Sequence, residues 1–248
     1  MTSTVYIESI NKFPSEDWSC SAYLGFRANG ANIKLFEDIE EVPLNRYTTL
    51  VASIENTHQW MEGMGWNIPE SITMPPELCS TWWTNRKITK MSLGEALAIT
   101  DYPYFVKSYE LKKFIPGVVK HHKDKSWFNN ELDRKMPVLV SEVINFVSEY
   151  RVYVLEGKVI GCNWYTGDMR YYPEFDVIEN MVKQFSRAPK FYSLDVGIEL
   201  SKDKRLQFTR LVECNDGYSL GNYGLSPRLY TRGLTTRWRQ LLEQNPVK

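Results

Sequence analysis

The segment Leu211–Gly217 constrains the fold of this chain more than any other stretch of the sequence. It has the composition of a strand that ends in Glu213, Cys214 and Asn215, and the Asp-Gly pair that follows is typical of a turn. Because side chains alternate along a strand, we expect Glu213 and Asn215 to face one side of a sheet and Cys214 to face the other.

A second strand-like run, Tyr192–Ile198, lies just upstream, and the polar residues Ser201–Lys204 join the two runs. This pattern predicts a hairpin that brings Asp195 close to Glu213 and Asn215. Oxygen ligands of this kind suit Mg²⁺, which takes one or two carboxylates and completes its shell with phosphates and water. The alternative is a plain turn whose Glu and Asn side chains are only solvated.

Composition limits the kinds of protein that this chain can form. Its 248 residues are 43% hydrophobic, which suits one enzyme-sized unit or two to three closely packed subdomains. Lys plus Arg and Asp plus Glu number 30 each, so the charge balance gives no support to a nucleic-acid-binding surface. The four cysteines have no zinc-binding spacing, which predicts reduced thiols. No signal peptide or membrane-spanning run is visible, so we expect a cytoplasmic protein.

Strands and helices alternate over the first seventy residues, which predicts a small α/β unit with a mostly parallel sheet. The prolines at 69, 75 and 76 indicate a break, so the first unit is placed at residues 1–75. The predicted strands lie at Val5–Ile7, Asn32–Phe36 and Thr48–Ile54, and the predicted helices at Ser19–Arg27 and His58–Met64.

Strands dominate the rest of the chain, which ends in a long helix. Glu156-Gly157 between two apolar runs predicts a hairpin, and Ser226-Pro227 predicts a helix start. The predicted strands are Tyr102–Lys107, Lys112–Val119, Val138–Ile144, Glu149–Leu155 and Lys158–Cys162, and the predicted helices are 93–98, 176–185 and 227–244.

The order of these features resembles the ATP-grasp superfamily. The motifs Glu149-Tyr150-Arg151-Val152, Asp195-Val196-Gly197 and Glu213-Cys214-Asn215-Asp216-Gly217 carry the resemblance. With Ser219-Leu220-Gly221, they are most similar to a branch of predicted amide-bond-forming proteins of phages and bacteria, from Tyr104 onward. The resemblance implies an α+β / α/β fold in which two α+β lobes, residues 76–141 and 142–248, clasp a nucleotide behind a small α/β domain.

The resemblance also implies the following roles for residues of this chain. Lys107 and Lys113 contact nucleotide phosphates, and Lys107 and Arg151 act in catalysis. Glu142, Val143 and Ile144 line the adenine site, Glu149 binds ribose, and Asp195, Glu213 and Asn215 hold Mg²⁺. Read without the resemblance, Lys107 is an edge-strand charge, and Glu149 and Arg151 are members of cross-strand ion pairs. The loop between Lys107 and Lys113 is short for the family, which leaves the role of Lys113 open.

We therefore expect an ATP- and Mg²⁺-dependent carboxylate–amine ligase that acts through an acyl phosphate. Two alternatives stay open at this point: an ATP-dependent kinase on the same scaffold and a non-catalytic nucleotide-binding regulatory module. The expected partners are small-molecule or peptide carboxylates and amines, and a homodimer is compatible with the resemblance. Four arginines are candidates for binding the acid substrate, at positions 86, 228, 232 and 237.

Overall fold

Three β-sheets organise the part of the chain that the computed structural model describes, residues 4–109, 114–128 and 131–246. The strands β1 to β11 are Thr4–Glu8, Asn32–Phe36, Thr49–Val51, Ile88–Ser92, Tyr104–Ser108, Gly117–Val119, Pro137–Ser141, Phe146–Leu155, Lys158–Gly167, Phe191–Leu200 and Gln207–Asp216. The α-helices α1 to α6 are Asp17–Ala28, Ile54–Gly63, Thr81–Thr84, Leu93–Ala98, Phe175–Gln184 and Pro227–Gln244.

The first sheet is parallel, with the strand order β2-β1-β3. The apolar residues of β1 and β3 are buried, as expected for a sheet that is covered on both faces. Ser53 caps α2 by accepting the Asn56 N–H, and Gly30 after α1 adopts a left-handed φ of 69°. The predicted mostly parallel α/β unit is confirmed.

The second sheet is antiparallel and has the order β4-β7-β5-β6. One face, which includes Val106, Val138 and Val140, packs with Leu93 and Ala96 of α4. The sequence did not indicate β4, because its residues Ile-Thr-Lys-Met-Ser do not alternate between apolar and polar and need β7 beside them to form a strand. Strand β7 ends at Ser141, three residues before the predicted end.

The third sheet is also antiparallel, with the order β11-β10-β8-β9. Its two faces have different partners. One face packs on Ile178 and Met181 of α5, and the other packs partly on Tyr230 and Leu234 of α6. The predicted hairpin between β8 and β9 turns at Glu156 and Gly157, which both have positive φ.

Helix α6 joins the third sheet to the first unit. Its N-terminus has the predicted Ser226 cap, which accepts the Leu229 N–H, with Pro227 in the first turn. It crosses α1 at Gly25, where a Cβ would lie 2.3 Å from the carbonyl oxygen of Pro227, so only glycine permits the close approach. Trp238 and Leu241 then enter the core beneath β3 and α2.

The unit limits predicted at residues 75 and 141 stay predictions of the sequence. No helix within the described ranges is long and apolar enough to cross a membrane, and a cytoplasmic location stays a prediction as well.

Candidate active site

Three charged side chains lie in one row across the third sheet. In the strand register, Asp195 of β10 is opposite Arg151 of β8 on one side and Glu213 of β11 on the other. Arg151 donates from Nε and Nη2 to the two oxygens of Asp195, at 2.8 and 2.6 Å. Burial alone lowers the pKa of Arg151, but the carboxylate beside it raises that pKa above the ordinary value. The pair is therefore a buried ion pair.

Glu213 is held by a lysine from the second sheet. Lys107 Nζ donates to Glu213 Oε2 at 2.6 Å and to Thr73 Oγ1 at 2.7 Å. Burial raises the pKa of Glu213, but the Lys107 ammonium and the Asn215 amide outweigh it and bring the pKa to about 2. The row of charges on the third sheet thus extends across the cleft to the second sheet.

Asn215 completes the group on the same face. Its Nδ2 donates to Glu213 Oε1 at 3.1 Å and to Asp195 Oδ2 at 3.3 Å, whereas Cys214 points into the opposite core. The structure thus brings together the three residues predicted as metal ligands, and it places Cys214 on the other face. Ser193, opposite Asn215 in the register, is fully buried, and its hydroxyl has no hydrogen-bond partner among the described residues.

A β-bulge at Val212 sets the orientation of this strand end. Leu211 is opposite Val196 and Glu213 is opposite Asp195, so Val212 has no partner of its own in β10. The extra residue shifts the alternation, so that Leu211 and Cys214 both enter the core that faces α5. The carbonyl oxygens of Leu211 and Val212 accept hydrogen bonds from Arg86 at 3.2 and 3.0 Å.

A second lysine of the small sheet was missed at the level of sequence. Lys90 of β4 and Lys107 of β5 are both opposite Leu139 of β7, so the two lysines project from the same face of the sheet. The Lys90 ammonium lies 3.4 Å from the ring centre of Tyr109. The predicted second lysine, Lys113, lies outside the described residues. Only the pairing of β4 with β7 places Lys90 beside Lys107, and the sequence did not indicate that pairing.

Glu142 is placed differently from the prediction. It was expected mid-strand, but it lies in the linker after β7, is exposed, and accepts the Lys87 N–H at 2.7 Å. Val143 and Ile144 follow in the same non-strand linker. Their backbone groups make no hydrogen bond to another described residue, which leaves them free for a ligand.

Glu149 and Arg151 are connected through two tyrosines. Glu149 Oε2 accepts a hydrogen bond from the Tyr165 hydroxyl at 2.6 Å, and Tyr165 stacks on Tyr223 with 5.2 Å between the ring centres. Tyr223 in turn lies over the Arg151 guanidinium at 4.4 Å. The ion-pair alternative for Glu149 is not what the structure has, since its hydrogen-bond partner is a hydroxyl. For Arg151, the cross-strand ion pair is present.

Two of the four candidate arginines are engaged in structural contacts. Arg86 is bound to the backbone of β11, and Arg237 of α6 forms two bonds of 2.7 Å with Asp216. Both side chains are buried, so we no longer assign them to substrate. Arg228 and Arg232 are exposed on α6, and neither lines the cavity described next.

A cavity of about 1360 Å³ opens at the charged row. Its walls come from all three parts of the fold: Arg151, Glu213 and Asn215 of the third sheet, Lys90 and Lys107 of the second, and α2 with the linker that follows it. Glu142, Val143, Ile144 and Glu149 do not line it. Of the residues predicted for phosphate and metal, Lys107, Glu213 and Asn215 therefore line the cavity and Asp195 lies behind Glu213 and Asn215, whereas those predicted for adenine and ribose do not line it.

The donor set fits Mg²⁺ that arrives with phosphates. Within the described ranges, no group of three or more His, Cys, Asp or Glu side chains is arranged to hold a metal ion. Asp195, Glu213 and the amide of Asn215 offer fewer protein ligands than a closed metal cage needs, and this is the usual situation for Mg²⁺ in phosphate sites. Rotation of the Asn215 amide would turn Oδ1, in place of Nδ2, toward the two carboxylates.

A comparison with protein-family models matches residues 83–232 to the ATP-grasp domain of family 2 of the R2-K clade. The chain belongs to this ATP-grasp family. The matched range contains Lys90, Lys107, Arg151, Asp195 and the Glu213–Asn215 pair. The expected ATP-grasp fold, with its mixed helices and sheets, is confirmed.

Solved structures agree on the fold of this ATP-grasp chain. The ATP-grasp ligase PsnB complexed with a minimal precursor is 16% identical, with a TM-score of 0.52, over 95% of this chain and 100% of the other. A RimK domain ATP-grasp protein from Sphaerobacter thermophilus is 14% identical, with a TM-score of 0.57, over 97% and 98% of the two chains. The N5-carboxyaminoimidazole synthetase of Staphylococcus aureus is 10% identical, with a TM-score of 0.57, over 95% and 77%. No curated protein sequence matches significantly.

Proposed function

We propose that the protein is an ATP- and Mg²⁺-dependent ligase that joins a carboxylate to an amine through an acyl phosphate. The observation that carries the proposal is the convergence of Arg151, Asp195, Glu213 and Asn215 with Lys107, since all of these except Asp195 also line the cavity. Cations and metal-binding carboxylates in one place suit phosphoryl transfer, which depends on positioning and charge neutralisation.

Each group has a part in the proposed reaction. Lys107 and Lys90 bind the phosphates of ATP as point charges, and Lys107 leaves Glu213 to do so. Arg151 keeps Asp195 oriented and places its positive charge at the cavity wall, where negative charge develops during transfer. Mg²⁺ held by Asp195, Glu213 and Asn215 would supply further neutralisation of the phosphates. The free backbone groups of Val143 and Ile144, with Glu142 and Glu149, bind the adenosine.

The reaction needs no nucleophile from the protein. The substrate carboxylate attacks the γ-phosphorus of ATP, which gives an acyl phosphate and ADP. The amine then attacks the acyl carbon, a C–N bond forms, and the C–O bond to phosphate breaks. Cys214 takes no part, because burial raises the pKa of its thiol and its side chain packs in the core on the other face of the sheet.

Neighbours in fold support the choice of substrates. One structure of PsnB is described with a minimal precursor, Mg and ADP, and another with the precursor peptide PsnA2 and AMPPNP. Both are statements about PsnB, and at 15 and 16% identity they support a peptide or small-molecule carboxylate here only through the shared fold.

The test traps the acyl phosphate with hydroxylamine. Wild-type protein is incubated with ATP, Mg²⁺, hydroxylamine and a pool of amino acids and tripeptides as carboxylates, and ADP and hydroxamates are measured by mass spectrometry. We expect ADP and hydroxamate in equal amounts, and a loss of about 100-fold or more in Asn215→Ala. Glu179→Gln, at an exposed position of α5, is the control and keeps full activity.

The other outcomes identify the alternatives. ADP with a stable phosphorylated product and no hydroxamate indicates a kinase. Calorimetric binding of ATP that depends on Mg²⁺, without ADP release from any member of the pool, indicates a nucleotide-binding module. Absence of ATP binding to wild type contradicts the nucleotide site itself.

A further inference from the structure

The cavity has two chemically different walls. The part of the lining that comes from the second and third sheets, which we call the lobe wall, contains the cations Lys90, Lys107 and Arg151. The other part of the lining, which we call the N-terminal wall, comes from residues 51–73 with Trp18, and it contains no Lys or Arg. Its ionisable residues are Glu55, His58, Glu62 and Glu70. A carboxylate and the phosphates suit the first wall, whereas a group that carries positive charge suits the second.

His58 of the N-terminal wall is held in place by a contact with the turn that follows β11. Its Nε2 lies 2.7 Å from the hydroxyl oxygen of Tyr218, which is 5% exposed. Tyr218 is on the turn that follows Asn215, and Ser219 of the same turn donates to the Ala52 carbonyl oxygen at 2.8 Å. These two bonds fasten the start of α2 and His58 to the strand end that contains the proposed metal ligands.

The other nitrogen of His58 is free. Nδ1 has no hydrogen bond to another described residue, so the tautomer that directs the Nε2 proton at Tyr218 leaves a lone pair on Nδ1. The other two histidines are on an exposed turn away from the cavity, where His121 pairs with Asp124. His58 is thus the one histidine that lines the cavity in the part of the chain that the structure describes.

The electrostatic surroundings favour a neutral imidazole. Burial lowers the pKa of His58, while Glu62 and Glu55, on its own helix, oppose that shift. From the other side it faces Tyr218, whose hydroxyl stays protonated because burial raises its pKa. A neutral imidazole at neutral pH is the form that accepts a proton.

We propose that the N-terminal wall is the amine side of the cavity and that His58 accepts the proton that the attacking amine gives up. This inference rests on the proposed ligase function and adds a catalytic residue and a binding side to it. An ammonium group has no lone pair for attack, so a ligase that works at neutral pH needs a base close to the amine. Nδ1 takes one proton from the ammonium group, and the nitrogen of the resulting amine bonds to the acyl carbon. Phosphate leaves with the electrons of the C–O bond and takes up the second proton of that nitrogen. Solvent then removes the proton from the imidazole.

The experiment compares two nucleophiles in wild type and in His58→Gln. Hydroxylamine is largely uncharged at neutral pH and needs no base, whereas amino acids are largely in the ammonium form. Hydroxamate and amide are measured by mass spectrometry with ATP, Mg²⁺ and the same carboxylate pool, the twenty amino acids serving as amines. His122→Gln, the same substitution at an exposed position that does not line the cavity, is the matched control, and Tyr218→Phe removes the partner while keeping His58.

We expect His58→Gln to form hydroxamate at close to the wild-type rate and to lose about 100-fold or more of amide formation. His122→Gln should keep both products, and Tyr218→Phe should lose amide more than hydroxamate. Equal losses of both products in His58→Gln would overturn the proposal, because they indicate a purely structural residue. Wild type that forms hydroxamate but no amide would overturn the assignment of this wall to an amine. Absence of hydroxamate in wild type would contradict the ligase function itself, and the proposed role of His58, which rests on that function, would then be wrong as well.

Discussion

Arg151 and Asp195 form an ion pair that is nearly closed to solvent, with side-chain exposures of 8% and 3%. Removal of two charges from water costs more than most pairs regain, so apolar residues would serve stability at least as well. Its position in the charged row, next to Glu213, therefore points to a role in the site. The sequence predicted that Asp195 would lie near Glu213, because the hairpin follows from the turn signal. It did not predict that Arg151 would face Asp195, since that depends on the pairing of β8 with β10.

The pair makes a prediction about stability. Arg151→Met leaves the Asp195 carboxylate buried without its charged partner, and we expect the free energy of unfolding to fall by about 3–5 kcal/mol. Arg151→Met with Asp195→Leu should recover most of that loss, because neither charge is then buried, while ATP turnover stays absent. Urea denaturation at pH 7 measures both variants, with Arg170→Met at an exposed pair as the control. A double variant as unstable as the single one would contradict the argument.

Strand β11 is the element that orients the proposed metal ligands. Simple alternation correctly placed Glu213 and Asn215 on one face and Cys214 on the other, because the bulge lies just before them. Alternation did not reveal the bulge at Val212, since Leu211 to Cys214 contains no local signal for an extra residue. The bulge is defined by the register with β10, and Arg86, which is distant in sequence, binds the two carbonyl oxygens there.

The bulge therefore depends on Arg86. In Arg86→Met the carbonyl groups of Leu211 and Val212 lose their buried donor, and we expect a loss of about 1–3 kcal/mol in the free energy of unfolding. Binding of ATP with Mg²⁺, measured by calorimetry, should weaken as well, because Glu213 follows the bulge directly. Arg205→Met, in the exposed loop between β10 and β11, should change neither quantity. Unchanged stability in Arg86→Met would show that the bulge forms without this side chain.

At the scale of the whole molecule, helix α6 connects the first sheet to the third sheet. The sequence predicted the bounds of α6 almost to the residue, because Ser226-Pro227 marks its start. Its partners were not predictable, since Trp238 and Leu241 pack against Leu50, Trp60 and Met61, far away in the chain. The same limit applies to the cavity. The lysines of the cavity come from the second sheet, Glu213 comes from the third sheet, and His58 comes from α2. Only tertiary packing brings these elements together.

This packing predicts one cooperative transition. Trp238→Ala removes a side chain that is 4% exposed and lies 5.9 Å, between ring centres, from Trp60. We expect the free energy of unfolding to fall by about 3–5 kcal/mol. Urea transitions followed by far-UV circular dichroism and by tryptophan fluorescence should still coincide. Arg239→Ala on the exposed side of α6 is the control. A separate early transition of the first unit in Trp238→Ala would mean that this unit is only loosely connected to the rest.

The place of α6 in the first core has a consequence for how the protein is made. Domains usually fold in the order in which they leave the ribosome. Here the parallel sheet and α2 emerge before α6, and the surface around Leu50 and Trp60 is covered only when Trp238 and Leu241 arrive. The core of the first sheet is therefore completed only after both later sheets have been synthesised, and until then its apolar surface stays exposed to chaperones.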